Sequence, residues 1–361
     1  SLTIILSAIG MEWMYKGLEQ YTYITVRSVI FKAISVVAMF LLVRAEKDYI
    51  MYGAISVFAA SCPFILNLIH ARKYISFRKT GKYDFRRHIK PVMIFFAMAC
   101  ATTIYTNLDV VMLGFMKNDS EVGLYHAAVR IKTILVSIVT ALGAVLLPRA
   151  SYYIEHDMEE EFKKIANKAL NFVFLAACPL TLYFIVFARE GVLLLAGDAF
   201  YGSILPMQVI MPTLIFIGIT NILGIQILVP TGQEKMVLYS EIVGAVIDII
   251  LNAILIPSMG ATGAAIGTLV AEFGVLVFQY MALRKKINAA FASVSYLKIL
   301  VAMAFAAAGC FWVKLLGLGN FLSLLISAVL FFGIYYVLLL ITREKLTREI
   351  TGQLLKKIMR V

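Results

Sequence analysis

PVMIFFAMACATTIYTNLDVVMLGFMKNDSEVGLYHAAVRIKTILVSIVTALGAVLLPRA runs from Pro91 to Ala150. Two long apolar runs flank a polar turn, Lys117 to Glu121. A helix crosses a ~30 Å hydrocarbon core in about 20 residues, so each run is long enough to span a bilayer. The first run carries Asp109, and the second carries Arg130 and Lys132. Asp109 and Arg130 each lie about ten residues from the turn, which places both roughly 15 Å deep, near the midplane. Ionisable groups at that depth pair with one another or line a water-filled cavity, and they mark function by default.

The polar neighbours of these charges are patterned. His126, Arg130, Thr133, Ser137 and Thr140 recur at steps of four and three, so they share one helix face. Thr102, Thr106 and Asp109 do the same on the preceding helix. Two readings stand. One is a pair of buried helices held by an Asp109–Arg130 salt bridge. The other is a solvated transport cavity, for which the stripes supply more polar groups than one bridge requires. In the second reading Asp109 holds the Arg130 guanidinium when the cavity is empty. Lys132, about 200° further round the helix, points elsewhere.

Composition extends this to the whole chain. Its 361 residues are 61% hydrophobic and 15% charged, with a mean hydropathy of +0.90. A soluble globular protein is nearer half apolar and a quarter charged. The chain therefore reads as all-α, a polytopic transmembrane helical bundle. The net charge of +12 sits in loops between spans, as topology determinants do, and not as a nucleic-acid surface. Cys62, Cys100, Cys178 and Cys310 all fall within apolar runs and read as small buried hydrophobes.

Taken in order, the chain opens at Ser1 inside an apolar run, which we read as the tail of a span in an N-terminally truncated protein. An interfacial connector rich in aromatics follows, Met11 to Tyr21. Spans are expected at about 26–43 and 49–69. His70 to Lys90 is strongly basic, with Arg72, Lys73, Arg78, Lys79, Lys82, Arg86 and Arg87 against only Asp84. This segment reads as a cytoplasmic linker between two membrane lobes: 1–69 the remainder of an N-lobe, 70–90 the linker, 91–283 a C-lobe bundle, and 297–341 an added helix pair. After the hairpin, Ser151–Lys168 reads as a separate charged amphipathic segment. Further spans are expected at about 169–187, 204–229, 237–257, 263–283, 297–316 and 321–341. Lys and Arg crowd alternate connections, which sets the inner side and leaves Lys117–Glu121 outside. Pro148, Pro179, Pro206, Pro212 and Pro230 mark places where spans can bend.

Two later spans carry acids. Glu241, Gly244, Asp248 and Asn252 share one face; Thr268, Glu272 and Gln279 share another. Asp248 and Glu272 are candidate ion-coupling carboxylates, with polar contacts between helices as the plain alternative. Gly263, Gly267 and Ala271 form a small-residue row suited to close helix packing. No phosphate-binding loop, nucleophile elbow or clustered Cys/His metal site appears, so neither an enzyme nor a cofactor is indicated.

Particular stretches carry a family likeness: Glu12-Trp13 with Gly17-Leu18-Glu19, Asn107-Leu108-Asp109 with Leu113-Gly114, and Val122-Gly123-Leu124-Tyr125 leading to Arg130. Gly244, Asn252, Ile256-Pro257 and Gly260 to Ala265 continue it. The chain resembles the polysaccharide-transporter branch of the multidrug/oligosaccharidyl-lipid/polysaccharide flippase superfamily. Asp248 departs from the pattern, where a neutral polar residue is more usual. The resemblance implies the two-lobe fold of MATE-type exporters, entered here at the end of the fourth helix. It also implies a bacterial cytoplasmic membrane protein that flips a polyprenyl-diphosphate-linked oligosaccharide. Membrane lipids, a coupling ion (Na+ or H+) and polysaccharide polymerase or other assembly proteins would be its partners. The expected substrate site is Arg130, Asp109, His126, Thr133, Ser137 and Asn107, since a guanidinium binds diphosphate or acidic-sugar oxygens in a fork. Alternatives are a multidrug or cation antiporter of the same superfamily, or a membrane-embedded polysaccharide polymerase or acyltransferase.

Overall fold

In hydrocarbon a backbone amide finds no water, so long apolar runs satisfy themselves as helices. The structure, a computed structural model, describes residues 2–76 and 84–358, and all of its regular secondary structure is helical. Among the described residues nine helices are long and apolar enough to cross a membrane, and a bent pair provides a further candidate crossing. The chain divides into two units, 1–85 and 86–361. Arg78, Lys79 and Lys82 of the basic linker lie outside the described residues.

The first unit holds α1 (Leu2–Ile9), α2 (Glu12–Gly17), α3 (Tyr21–Leu42) and α4 (Tyr49–Ala71). Its polar centre is Arg27, buried in α3. The guanidinium donates to the Pro63 carbonyl at 3.1 Å and to the Asn67 side chain, and lies 3.7 Å from Glu12. Tyr15 donates to the Asn67 carbonyl at 2.7 Å. These contacts pin the short α2 across the ends of α3 and α4. They also account for the Glu12 of the family-like motif.

The second unit continues with α5 (Arg86–Met116), α6 (Asp119–Glu155) and α7 (Glu159–Val186). Then come α8 (Ala188–Ala196), α9 (Ile204–Ile210), α10 (Thr213–Thr220), α11 (Glu234–Met259) and α12 (Ala261–Ala292). Last are α13 (Tyr296–Phe311), α14 (Asn320–Ile341) and the tail helix α15 (Lys345–Ile358). One face of α6, with Tyr125, Ala128, Ile131, Leu135 and Val139, packs into a core shared with Leu170 and Val173 of α7 and Met207, Ile210 and Leu214 of α9–α10. The α13–α14 pair joins through a second cluster around Tyr183 and Phe187. Tyr183 bonds the Leu324 carbonyl at 2.8 Å and Ser327 at 2.9 Å.

One expectation changes. Ser151–Lys168 is not a separate element: α6 continues to Glu155 and α7 begins at Glu159, with a turn at 156–158. Asp157 takes a positive φ of 54° there. Lys163 and Lys164 pair with Glu159, Glu160 and Glu161 at helical spacing, which extends α7 into the polar region. The span expected at 204–229 is a pair bent by 47°, in keeping with the prolines within it. Met211 and Pro212 form the break, because proline lacks the N–H that would continue α9. Beyond α10 the chain loosens into π-helix over Asn221–Leu228, with Val229 N–H bonding the Gly224 carbonyl at 3.0 Å.

Candidate functional site

The site is built where α5, α6, α11 and α12 meet. The turn Lys117–Asn118 reverses α5 into α6, and Asn118 caps α6 by accepting from Glu121 N–H at 3.0 Å. Glu121 in turn accepts from the first amide of α12, Ala261 N–H, at 2.7 Å. A carboxylate at a helix N-terminus answers both the orphan amide and the dipole. Gly260 ends α11 with φ +54°, and a Cβ there would run into the Glu121 carboxylate. The small-residue row then sets α12 tight on α11: a Cβ on Gly263 would meet Leu255 backbone, and one on Gly267 would strike the Asn252 side chain and approach Asp248.

That closeness assembles a buried polar centre. Asp109 is only 3% exposed. Asn252 Nδ2 donates to its Oδ1 at 2.6 Å, Thr268 Oγ1 lies 2.9 Å from its Oδ2, and Tyr125 donates to the same Oδ2. Tyr125 and Thr268 hydroxyls are 2.9 Å apart. Asp248 is fully buried with its carboxyl against that of Asp109, and no donor reaches either of its oxygens. Asn252 Oδ1 is also buried without a partner. Two facing carboxylates repel unless a proton or cation joins them. Glu272, engaged in its own contacts, lies within electrostatic reach of Asp248, and so does the Lys132 ammonium. Among the described residues no group of three or more His, Cys, Asp or Glu side chains is placed to hold a metal ion. The mixed set of carboxyl, amide and hydroxyl oxygens suits a hard monovalent cation or a proton.

The sequence-derived residues separate into two places. Asp109 and Asp248 come together in the buried centre, with Glu272 within electrostatic reach of Asp248. Arg130, His126, Thr133 and Ser137 share one face of α6, as their spacing requires, but that face is exposed. The expected Asp109–Arg130 pair does not form: Asp109 bonds Tyr125, Asn252 and Thr268, and no ion pair links it to Arg130. The reason is azimuth. Arg130 lies opposite the Tyr125–Ala128–Ile131 face that packs inward, so equal depth does not bring it to Asp109. The same rotation turns Lys132 toward Asp248. Asn107 is exposed, with its amide donating to the Thr103 carbonyl at 2.8 Å. Thr133 and Ser137 hydroxyls bond their own helix at 2.8 and 2.6 Å, to Val129 and Ile134 carbonyls. Sequence reasoning passed over Tyr125 as a site residue, since an aromatic at helical spacing reads as core.

This is a polytopic helical membrane bundle with an ionisable centre between its helices. Comparison with known proteins agrees. The family model for polysaccharide biosynthesis proteins matches residues 2–154, and the MatE model matches residues 94–254. The chain is 24% identical over 282 residues to a putative O-antigen transporter of Shigella dysenteriae, covering 77% of this chain and 70% of that protein. It is 29% identical over 174 residues to the probable flippase AglR of Haloferax volcanii, covering 46% of this chain and 35% of that one. The solved structure of Lipid II flippase MurJ in its inward closed conformation shares the fold, with a TM-score of 0.65 at 17% identity over 95% of this chain and 72% of that one. These matches support the resemblance to the polysaccharide-transporter branch of the multidrug/oligosaccharidyl-lipid/polysaccharide flippase superfamily.

Proposed function

We propose that the chain belongs to a flippase of the bacterial cytoplasmic membrane that carries a polyprenyl-diphosphate-linked oligosaccharide from the inner to the outer leaflet. The observation that carries this reading is Arg130, a permanently charged side chain exposed on the face of a membrane-spanning helix beside His126, Thr133 and Ser137. Such a face needs water or an anionic ligand around it. A planar guanidinium suits diphosphate oxygens, and hydroxyls whose protons are bound to their own helix still offer lone pairs to sugar hydroxyls. The names of the relatives, an O-antigen transporter and glycan or lipid flippases, fit this substrate class. A multidrug or cation antiporter would favour an acidic and aromatic cavity, and the Arg130–His126 face speaks against it.

The driving ion is Na+ or H+, taken between Asp109 and Asp248 with Asn252, Thr268 and Tyr125 around them and Glu272 alongside. Charge bias places the start of α11 and the end of α12 on the inner side. Polymerase and other assembly proteins would receive the product.

The test is surface polysaccharide per folded transporter, in the full-length protein. Arg130→Ala abolishes export at normal protein level, and Arg130→Lys recovers part of it, because lysine keeps the charge and loses the fork. Normal export by Arg130→Ala refutes the reading.

A further inference from the structure

The buried centre is not the end of the acidic track. Glu241 precedes Asp248 by seven residues on α11, two turns and about 10 Å toward the inner end of the helix. It is half-buried, and its carboxyl lies within reach of Thr102, whose hydroxyl donates to the Met98 carbonyl at 2.9 Å. Thr102 likewise precedes Asp109 by seven residues on α5. So α5 and α11 present two matched polar levels, Thr102–Glu241 and Asp109–Asp248. α12 runs antiparallel past both: Thr268 reaches Asp109, while Gln279 donates to Ser240 at 2.9 Å beside the lower level. Glu272, between those two residues on α12, lies within electrostatic reach of both Glu241 and Asp248. The track ends at the Asp109–Asp248 pair, where among the described residues both Asp248 oxygens and Asn252 Oδ1 are buried without a hydrogen-bond partner. The cation that faces this track is Lys132 from α6, at the upper level.

We infer that Glu241, level with Thr102, is the inner-side way-station through which the coupling monovalent cation reaches and leaves the Asp109–Asp248 centre. This rests on the coupling-cation reading given above. Glu241 is a positioning residue for transit, not a ligand of the final site. A carboxylate half-way between the inner surface and a buried centre lowers the barrier that a lone cation meets in a low-dielectric interface. Glu272 completes the step, since it lies within electrostatic reach of both levels.

The test uses full-length protein reconstituted in proteoliposomes, with 22Na+ and a pH-sensitive dye reporting Na+ and proton exchange separately. Equilibrium occupancy and the exchange rate from each face are measured. Glu241→Gln leaves occupancy within about twofold of wild type and slows inner-face exchange about tenfold, a barrier increase of ~1.4 kcal/mol, with outer-face exchange unchanged. Glu241→Asp restores at least half of the lost rate, which a merely structural role would not require. Asp248→Asn removes occupancy itself. Wild-type inner-face exchange in Glu241→Gln, with occupancy lost in Asp248→Asn, overturns the way-station alone. Loss of occupancy in Glu241→Gln also overturns it, because Glu241 would then be a ligand. Retained occupancy of both ions in Asp248→Asn overturns the coupling reading beneath it.

Discussion

Removing the Asn252 amide tests the buried centre directly. In Asn252→Ala the Asp109 carboxylate loses the 2.6 Å donor to Oδ1 and keeps Tyr125 and Thr268 on Oδ2. A hydrogen bond to a charged group contributes about 1.5–3 kcal/mol in water-soluble proteins. In membrane bundles the measured mean is only ~0.6 and the maximum ~1.7, because an unfolded helix in the membrane finds other partners. Both residues are fully or almost fully buried, so screening is negligible and the upper end applies. We therefore expect a coupling of about 1.5 kcal/mol between Asn252→Ala and Asp109→Ala in a double-mutant cycle. The assay is reversible unfolding of the full-length protein in mixed micelles, with all three variants at one lipid composition. The double mutant should be less destabilised than the sum of the singles. Additivity within about 0.5 kcal/mol would show that the two side chains do not interact and would refute the packed centre.

Lys132→Gln should tighten equilibrium cation binding about fivefold in a 22Na+ titration, since the ammonium within reach of Asp248 opposes a second positive charge; weaker binding would contradict that placement. Gly260→Ala should cost about 1–2 kcal/mol in the same unfolding assay, because φ +54° disfavours a Cβ and the added methyl displaces Glu121 from the α12 N-terminus. Glu344→Ala should free the tail helix to protease within the intact protein at a cost of about 1 kcal/mol, as Glu344 accepts from Thr347 N–H at 2.6 Å and caps α15; an unchanged cleavage rate would refute the cap.

The spans were legible because hydropathy alone decides which stretches enter a bilayer, and the depth of Asp109 followed from counting along its helix. Depth is only one coordinate. The partner of Asp109 depends on which way α6 is rotated, and that is fixed by core packing of Tyr125, Ala128 and Ile131 against distant helices. The 200° between Arg130 and Lys132 was correct as geometry; which of the two faces inward was not readable from spacing. The polar residues of α11 and α12 were visible as faces, while the meeting of Asp248, Asn252 and Thr268 with Asp109 spans well over a hundred residues of sequence. The bend at Pro212 was foreshadowed by the proline, and the π-helix after it has no comparable sequence signal.

The separation along the chain of the groups that hold Asp109 bears on how the protein is made. Asn252 and Thr268 lie 143 and 159 residues beyond it, whereas Tyr125 lies 16 beyond. At ~5–20 residues per second of translation, Asp109 waits about seven to thirty seconds for its later partners. Of the three groups that hold Asp109, the α5–α6 hairpin itself supplies only Tyr125. The phenol therefore acts first as an escort during biogenesis and only afterwards as one donor among three.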